Sequence, residues 1–246
     1  FHLSRSGSTL ISNALQTAPG ALVLSEPEIL AEVLARAPAL LKDVFEIFGS
    51  SNYHTHMVVK WQSAMVVHAQ RLAELFPATP IFVAYRDPAD ILAAHLFEDK
   101  PPCAAPYRPG DKLGEASATL PGGNGEDAGR RCVARLAATM DSALALDATF
   151  VDYSELPGAI DDIAARFGLP TVNASRVAGV DAKTGDAYDE SRTATKRAAL
   201  PEELRASLSR GGAQPPPIPG HLMGSVPPPV PTELSKERKV EDDFFF

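Results

Sequence analysis

Short apolar runs separated by helical spacing constrain the fold of this chain more than any other feature. The runs are residues 1–3, 57–59, 81–85 and 149–151. They are apolar rather than alternating, which is typical of strands that are buried on both faces of a parallel sheet. Because helical patterns fill the gaps between them, their order predicts crossover units. We therefore expect an α/β fold with a doubly wound, mostly parallel sheet that is flanked by helices.

Local signals predict where the helices begin and end. Asp87 followed by Pro88 is typical of an N-cap and a first helical residue. Gly168 is placed to close a helix over residues 160–167. Apolar residues recur at spacings of three and four in two further helices, with Met65, Ala69, Leu72 and Leu75 in one and Val133, Leu136, Met140 and Leu144 in the other.

Length and apolar content suit one main domain. The chain has 246 residues, of which 45% are hydrophobic, so it can bury a sizeable core. We assign residues 1–210 to the α/β domain. Within it, the proline- and glycine-rich residues 98–126 predict a long loop, either a functional lid or a disordered insert. Residues 211–246 are rich in proline and then in mixed charge, which predicts a tail that either packs on the domain or is disordered.

Net charge, cysteine content and hydropathy exclude several classes of protein. A net charge of −8 argues against a large nucleic-acid-binding surface. Cys103 and Cys132 are too few to form a disulfide framework or a zinc knuckle by themselves. No apolar run approaches the roughly 20 residues that cross a bilayer. The chain opens on Phe1 inside a predicted strand, so we expect a fragment or processed form, and we favour the cytoplasm for this soluble domain.

The segment after the first run, residues 4–9, carries the clearest chemical pattern, Ser-Arg-Ser-Gly-Ser-Thr between a predicted strand and a predicted helix. Such a turn gathers backbone N–H groups and a helix N-terminus around one point, which is typical of an anion site. Gly7 permits close backbone approach, and Arg5 can hold an oxyanion at two points. Ser8 and Thr9 add hydroxyl donors. The alternative is a serine-rich cap beside a surface arginine.

This loop resembles the 5′-phosphosulfate loop of the sulfotransferase family that uses 3′-phosphoadenosine 5′-phosphosulfate (PAPS). In that family a Lys or Arg precedes Ser-Gly-Thr/Ser-Thr, as Arg5 does here. An ATP or GTP hydrolase would carry Gly-Lys-Ser/Thr, which this chain lacks. The resemblance is closest to the branch with Ser-Arg-x-Gly-Ser-Thr-Leu and Ser-Glu-Pro, and it implies a P-loop type of fold. It also implies that the 5′ end of PAPS binds these residues: Arg5, Ser6, Gly7, Ser8 and Thr9.

A second motif resembles the family's 3′-phosphate element. Residues 85–92 read Tyr-Arg-Asp-Pro-Ala-Asp-Ile-Leu, in which Arg86 follows a predicted strand. Doubly wound folds bind ligands at such carboxyl ends, and the resemblance assigns Arg86 to the 3′-phosphate. The serine that the family has eight residues later is Ala94 here, followed by His95. Either His95 or a backbone donor takes its place, or the affinity for the 3′-phosphate is weaker.

Two later segments extend the resemblance over roughly residues 1–200. The strand-to-helix element at 150–157 is interpreted as structural, with Tyr153 packing and Ser154 capping. A basic segment resembles the one that closes over the nucleotide, although solvated surface charge is the alternative for each of its members. Its candidate phosphate ligands are Lys183, Arg192, Lys196 and Arg197.

The resemblance also implies catalytic roles. Lys60 matches the strand-end lysine that neutralises the sulfonate, its alternative being a lysine that reaches into solvent. Arg5 would stabilise the leaving phosphate. Many relatives have a histidine base two residues after that lysine, but this chain has Gln62 there. Glu26 follows a short predicted strand at 21–24, so it should face the same cleft, and it resembles the glutamate base of the tyrosyl-protein branch, which implies that Glu26 is the base. Enclosure would raise the pKa of Glu26 and Arg5 would lower it, and capping of the next helix is the alternative role.

The sequence therefore predicts an enzyme that moves a sulfuryl group from PAPS to a hydroxyl or amine of an unidentified acceptor, without a metal. His54 and His56 are secondary candidates for the base. One alternative is a small-molecule or nucleotide kinase with an atypical P-loop. Another is a catalytically inactive nucleotide-binding module, which Gln62 and Ala94 favour. The oligomeric state stays open.

Overall fold

A computed structural model of the chain describes residues 1–97, 102–104, 111–125, 127–174, 177 and 191–210. Lys183, the tail at 211–246 and part of the predicted loop at 98–126 lie outside these residues, as does the side chain of Arg192.

Four strands form two parallel pairs. The strands are β1 (Ala21–Ser25), β2 (His56–Lys60), β3 (Phe82–Tyr85) and β4 (Thr149–Asp152). β1 pairs with β2, and β3 pairs with β4. The predicted strands at 57–59, 81–85 and 149–151 are confirmed, with boundaries that differ by a residue or so, and the protein is a mixed α/β fold.

The first three residues lie beside β3 and complete its second edge. His2 forms a parallel bridge with Ala84, whose opposite edge faces β4. Leu3 N donates to the Ala84 carbonyl oxygen at 2.8 Å. The Phe1 ring stacks on Trp61, just beyond β2, with the ring centres 6.1 Å apart. The N-terminal segment therefore contacts both strand pairs, and the chain that follows it emerges at the carboxyl ends of the strands.

Helices occupy most of the remaining described chain. The α-helices are α1 (Ser8–Leu15), α2 (Glu28–Arg36), α3 (Leu41–Gly49), α4 (Ala69–Leu75), α5 (Pro88–Leu96), α6 (Lys112–Ala118), α7 (Ala128–Leu144), α8 (Ile160–Arg166), α9 (Ser191–Ala198) and α10 (Glu202–Arg210). Short 3-10 helices cover Pro38–Leu40, Ser63–His68, Pro102–Ala104 and Tyr153–Glu155. None of the described helices is long and apolar enough to cross a membrane.

Both faces of the strands are covered, which explains why their sequences are apolar rather than alternating. Neighbouring positions within a strand pack into different clusters, as Val58 and Val59 do. One face packs against α1 and α8, and its strand residues are Ala21, Val23, Val58, Phe82 and Val151. The opposite face packs against α2, α7 and the Ser63–His68 turn, and its strand residues are Leu24, Val59, Val83 and Phe150.

Helix-end signals were predicted correctly at two places and wrongly at a third. Asp87 caps α5, accepting a hydrogen bond from Ala89 N at 2.8 Å. Gly168 follows α8 with φ 68°. Ser154 does not cap the turn after β4, because Asp152 accepts the hydrogen bond from Ser154 N at 2.7 Å. The Asp152 carboxylate, two positions earlier, accepts from the free N–H group and takes the role.

The segment predicted as a long loop at 98–126 contains ordered structure in its described part. α6 begins after Asp111, whose side chain accepts from Gly114 N at 3.1 Å. Asp111 also pairs with Arg135 of α7 at 3.1 Å. The two cysteines form a single disulfide, Cys103–Cys132, which ties this segment to α7. Proline and glycine content concealed a helix whose stability comes from packing on α7.

Candidate active site

Two left-handed residues shape the loop between the N-terminal segment and α1. Arg5 has φ 63° and Gly7 has φ 80°, while the intervening Ser6 is not left-handed. Gly7 is the N-cap residue of α1, and no side chain caps that helix. The first-turn N–H groups of a helix lack intrahelical partners, so they are available to an anion. The serine-rich cap proposed as the alternative is not formed here.

Gly7 is required by a close approach as well as by its backbone conformation. A Cβ at this position would lie 2.7 Å from Leu156 Cδ1 and 2.8 Å from Tyr153 Cδ2. Any other residue would also be strained at positive φ. The loop therefore sits directly against the Tyr153 ring.

Lys60 joins the loop to the end of β1. Its ammonium lies 2.8 Å from Glu26 Oε1 and donates to Thr9 Oγ1 at 3.2 Å. The Lys60 side chain is only 10% exposed, so it is not a lysine that reaches into solvent. Three predicted site residues on three different elements thus meet at one buried positive charge.

Glu26 is held in an unusual backbone conformation. Its φ is 52°, in the region where non-glycine residues cost roughly 1–2 kcal/mol. Glu26 N donates to the Lys60 carbonyl oxygen at 2.7 Å, which extends the β1–β2 pairing by one residue. The cap position of α2 is Pro27, with no side-chain cap, so the carboxylate faces Lys60 instead of capping that helix. Strain of this kind is concentrated at functional sites.

The Glu26 carboxylate is strongly stabilised in its charged form. The nearby His2 and then Lys60 lower the pKa of Glu26 to about 2, although burial opposes them. We expected Arg5 to lower this pKa, and that expectation is wrong because His2 and Lys60 are the neighbours responsible. At neutral pH Glu26 is a carboxylate that accepts hydrogen bonds well and holds a proton poorly on its own.

His2 belongs to this cluster and was not predicted as a site residue. It is buried, and its Nε2 lies 3.4 Å from Glu26 Oε1. Burial lowers the pKa of His2. The sequence signal was present, since a polar residue interrupts an apolar run immediately before the loop. Residues 1–3 were interpreted only as a strand, and the meeting of His2 with Glu26 depends on the packing of two distant segments.

Arg86 and the loop at Gly7 are far apart in the sequence, but both lie against the ring of Tyr153. The guanidinium carbon of Arg86 is 4.1 Å from the ring centre. Arg86 Nε also pairs with Asp90 Oδ2 at 3.3 Å, and both side chains are mostly buried. Tyr153, predicted only to pack, therefore connects Gly7 with Arg86. The two arginine-bearing motifs lie close enough to share one aromatic neighbour.

The late basic segment meets the site through one of its arginines. Arg197 of α9 pairs with Asp87 at 2.9 Å and with Asp90 at 3.2 Å. Lys196 is half-buried in the last turn of α9 and forms no ion pair within the described part of the chain. His95 is buried in α5, with Nδ1 sealed from solvent.

Comparisons with protein-family models, with curated proteins and with solved structures found no match to this chain. Within the described residues there is no group of three or more His, Cys, Asp or Glu side chains arranged to hold a metal ion. An open hollow on the surface, lined by Arg130, Glu202 and Glu203 among others, contains none of the predicted site residues.

Proposed function

We propose that this chain is a PAPS-dependent sulfotransferase of the doubly wound P-loop type, acting on a hydroxyl or amine of an acceptor. The observation that carries the proposal is the Lys60 ammonium, which contacts both Thr9 of the loop and Glu26 at the end of β1. This arrangement sets a positive charge, a set of backbone donors and a carboxylate around one point.

Sulfuryl transfer requires in-line positioning and stabilisation of spread negative charge, much as phosphoryl transfer does. Arg5, Lys60 and the N-terminus of α1 supply positive charge and N–H donors to the loop. In the proposed reaction Arg5 stabilises the leaving phosphate and Lys60 neutralises the sulfonate. Ser6, Gly7, Ser8 and Thr9 bind the 5′ side.

The 3′-phosphate is assigned to Arg86. Asp90 and the Tyr153 ring hold this guanidinium, which reduces the entropy lost when it binds an anion. His95, Lys183 and Lys196 remain proposed further ligands, of which Lys183 lies outside the described residues.

One alternative is supported by a specific observation. Because its pKa is low, Glu26 alone is a weak base. An inactive nucleotide-binding module needs no base, so this observation favours that alternative. A kinase is less well supported, because the carboxylates beside Arg86 are engaged by arginines: Asp87 pairs with Arg197, and Asp90 pairs with both Arg197 and Arg86. Neither is placed to bind Mg²⁺ without breaking those pairs.

The test is a comparison of melting temperature with adenosine 3′,5′-bisphosphate, with ATP and Mg²⁺, and without ligand. Stabilisation by the bisphosphate alone supports the proposal, since a ligand that binds the native state raises its stability. Stabilisation by ATP and Mg²⁺ alone would favour the kinase. Transfer of radiolabelled sulfate from PAPS to a mixed panel of acceptors then separates an enzyme from an inactive module.

Lys60→Met is the variant that tests the carrying observation, and Lys42→Met is its matched control. Lys42 is an exposed residue of α3. We expect Lys60→Met to remove most sulfate transfer while the Lys42 variant retains it. Equal transfer by both variants would contradict the proposal.

The compartment is a separate question on which the disulfide bears. Disulfides persist in oxidising compartments and are rare in the cytosol. The Cys103–Cys132 bridge therefore favours an oxidising compartment over the cytoplasm that we first expected.

A further inference from the structure

Both ring nitrogens of His2 face oxygen atoms. Nδ1 lies 3.4 Å from the Leu3 carbonyl oxygen, and Nε2 lies 3.4 Å from Glu26 Oε1. A neutral imidazole carries one N–H, so one of these nitrogens faces an oxygen with no proton between them. Nε2 is buried and has no well-formed hydrogen bond within the described residues. Buried polar atoms rarely lack a hydrogen-bond partner, and one added proton on the ring would let both nitrogens donate hydrogen bonds.

We propose that His2 and Glu26 form a proton-sharing pair, in which Glu26 receives the proton of the acceptor and His2 stores it. This inference rests on the proposed function, because it identifies how the carboxylate of the same site can serve as a base. His2 acts through Glu26 and does not touch the acceptor, so it is a positioning residue.

The exposed fractions of the two side chains suit these roles, with Glu26 reaching the acceptor and His2 holding the proton. The Glu26 side chain is 41% exposed, whereas that of His2 is 8% exposed. Glu26 Oε1 carries the ion pairs with Lys60 and His2, and Oε2 takes part in neither of them. Oε2 is therefore the oxygen that an acceptor can reach.

The acceptor loses its O–H or N–H proton to Glu26 as its heteroatom forms a bond to sulfur. The bond between sulfur and the bridging oxygen breaks, and its electron pair leaves with adenosine 3′,5′-bisphosphate. A turn of the carboxyl group presents the new O–H to His2 Nε2, which becomes an imidazolium facing a carboxylate. The proton returns to solvent through the exposed carboxylate.

The surrounding charges determine where the proton is held. A base is most effective when its pKa lies near the working pH, and Glu26 alone, with a pKa of about 2, lies far below it. For His2, burial and Lys60 lower the pKa, whereas Glu26 raises it. Since a sulfonate drawn to Lys60 would offset that positive charge, donor binding favours the imidazolium.

Nitrogen NMR of the histidine-labelled protein tests the pair without any need for turnover. We expect the titration midpoint of His2 to fall by about one unit or more in Glu26→Gln, because the carboxylate that favours the imidazolium is lost. His68, which does not contact Glu26, is the internal control and should titrate alike in both proteins. An unchanged His2 midpoint would overturn the proposal.

The pH dependence of transfer provides the second test. His2→Gln replaces the imidazole with an amide, which can form hydrogen bonds but cannot accept a proton at neutral pH, and His68→Gln is the matched control. We expect His2→Gln to lower kcat about 10²-fold or more and to remove the loss of activity on the acid side of the profile, with KM for PAPS unchanged. A wild-type profile in His2→Gln would overturn the pair. Coupling by NMR with no transfer in any protein would instead overturn the proposed function and leave the pair standing.

Discussion

The guanidinium carbon of Arg86 lies 4.1 Å from the centre of the Tyr153 ring, and the loop at Gly7 lies against the same ring. One aromatic side chain thus fixes the spacing between the two motifs that we assign to opposite ends of the nucleotide. Cation–π contacts of this kind contribute about 0.5–2 kcal/mol and orient the guanidinium.

Gly7→Ala is expected to destabilise the protein by about 1–3 kcal/mol, because alanine is strained at φ 80° and its Cβ would lie 2.8 Å from Tyr153 Cδ2. The stabilisation by adenosine 3′,5′-bisphosphate should also decrease. Urea unfolding with and without the bisphosphate measures both effects. Gly49→Ala is the control, since nothing lies within 4 Å of its Cβ position. Equal stabilities of the two variants would contradict this account of the loop.

Arg86→Ala is expected to weaken binding of adenosine 3′,5′-bisphosphate by about 10- to 150-fold, which corresponds to the loss of a hydrogen bond between charged groups. Binding of adenosine 5′-phosphosulfate, which lacks the 3′-phosphate, should change little. Isothermal titration with both ligands gives the comparison, and Arg71→Ala, an exposed arginine of α4, is the control. If both ligands lose affinity equally, Arg86 does not recognise the 3′-phosphate.

Glu26→Gln is expected to lower stability at neutral pH by on the order of 1 kcal/mol, since the exposed part of the carboxylate is screened by solvent. The pKa of Glu26 in the folded protein is about 2, below the usual value of 4.5, so the carboxylate stabilises the folded state fully above about pH 4.5. That contribution is lost as the pH falls toward 2. Denaturation of the wild type and the variant across this range should therefore show converging stabilities. A difference that stays constant down to low pH would refute the assignment, and Glu28→Gln on α2 serves as the control.

Reduction of Cys103–Cys132 is expected to destabilise the protein by about 3–4 kcal/mol, the loop-entropy value for a sequence separation of 29 residues. Urea unfolding with and without reductant measures the difference. The double variant Cys103→Ser, Cys132→Ser should have the stability of the reduced protein and no response to reductant. If reductant leaves the wild type unchanged, the bridge is not formed in solution.

Sequence reasoning succeeded where the cause is local. Asp87 and Gly168 identified helix ends because capping depends on neighbouring residues. Lys60 and Glu26 were assigned to one site because the carboxyl ends of parallel strands meet at one edge of a sheet, and these two side chains do contact each other.

It failed where the cause is a contact between distant segments. His2 contacts Glu26 only because the N-terminal segment packs beside β3, and periodicity cannot reveal this. Cys103 and Cys132 could be counted but not paired, since pairing depends on how the loop segment folds onto α7. The ring of Tyr153 was correctly predicted to pack, but its partners, Gly7 and Arg86, became visible only in three dimensions.

Asp90 divides its two oxygens between Arg86 and Arg197. A recombinant fragment that stops short of α9 would therefore free one carboxylate oxygen and let Arg86 take up a different, bidentate grip on Asp90. Such a truncated protein would lose the core residues Leu200 and Leu208 and would also present a changed guanidinium geometry to a phosphate. The C-terminal boundary chosen for expression therefore affects how the protein binds a ligand. Ligand affinity should be measured on protein that includes α9.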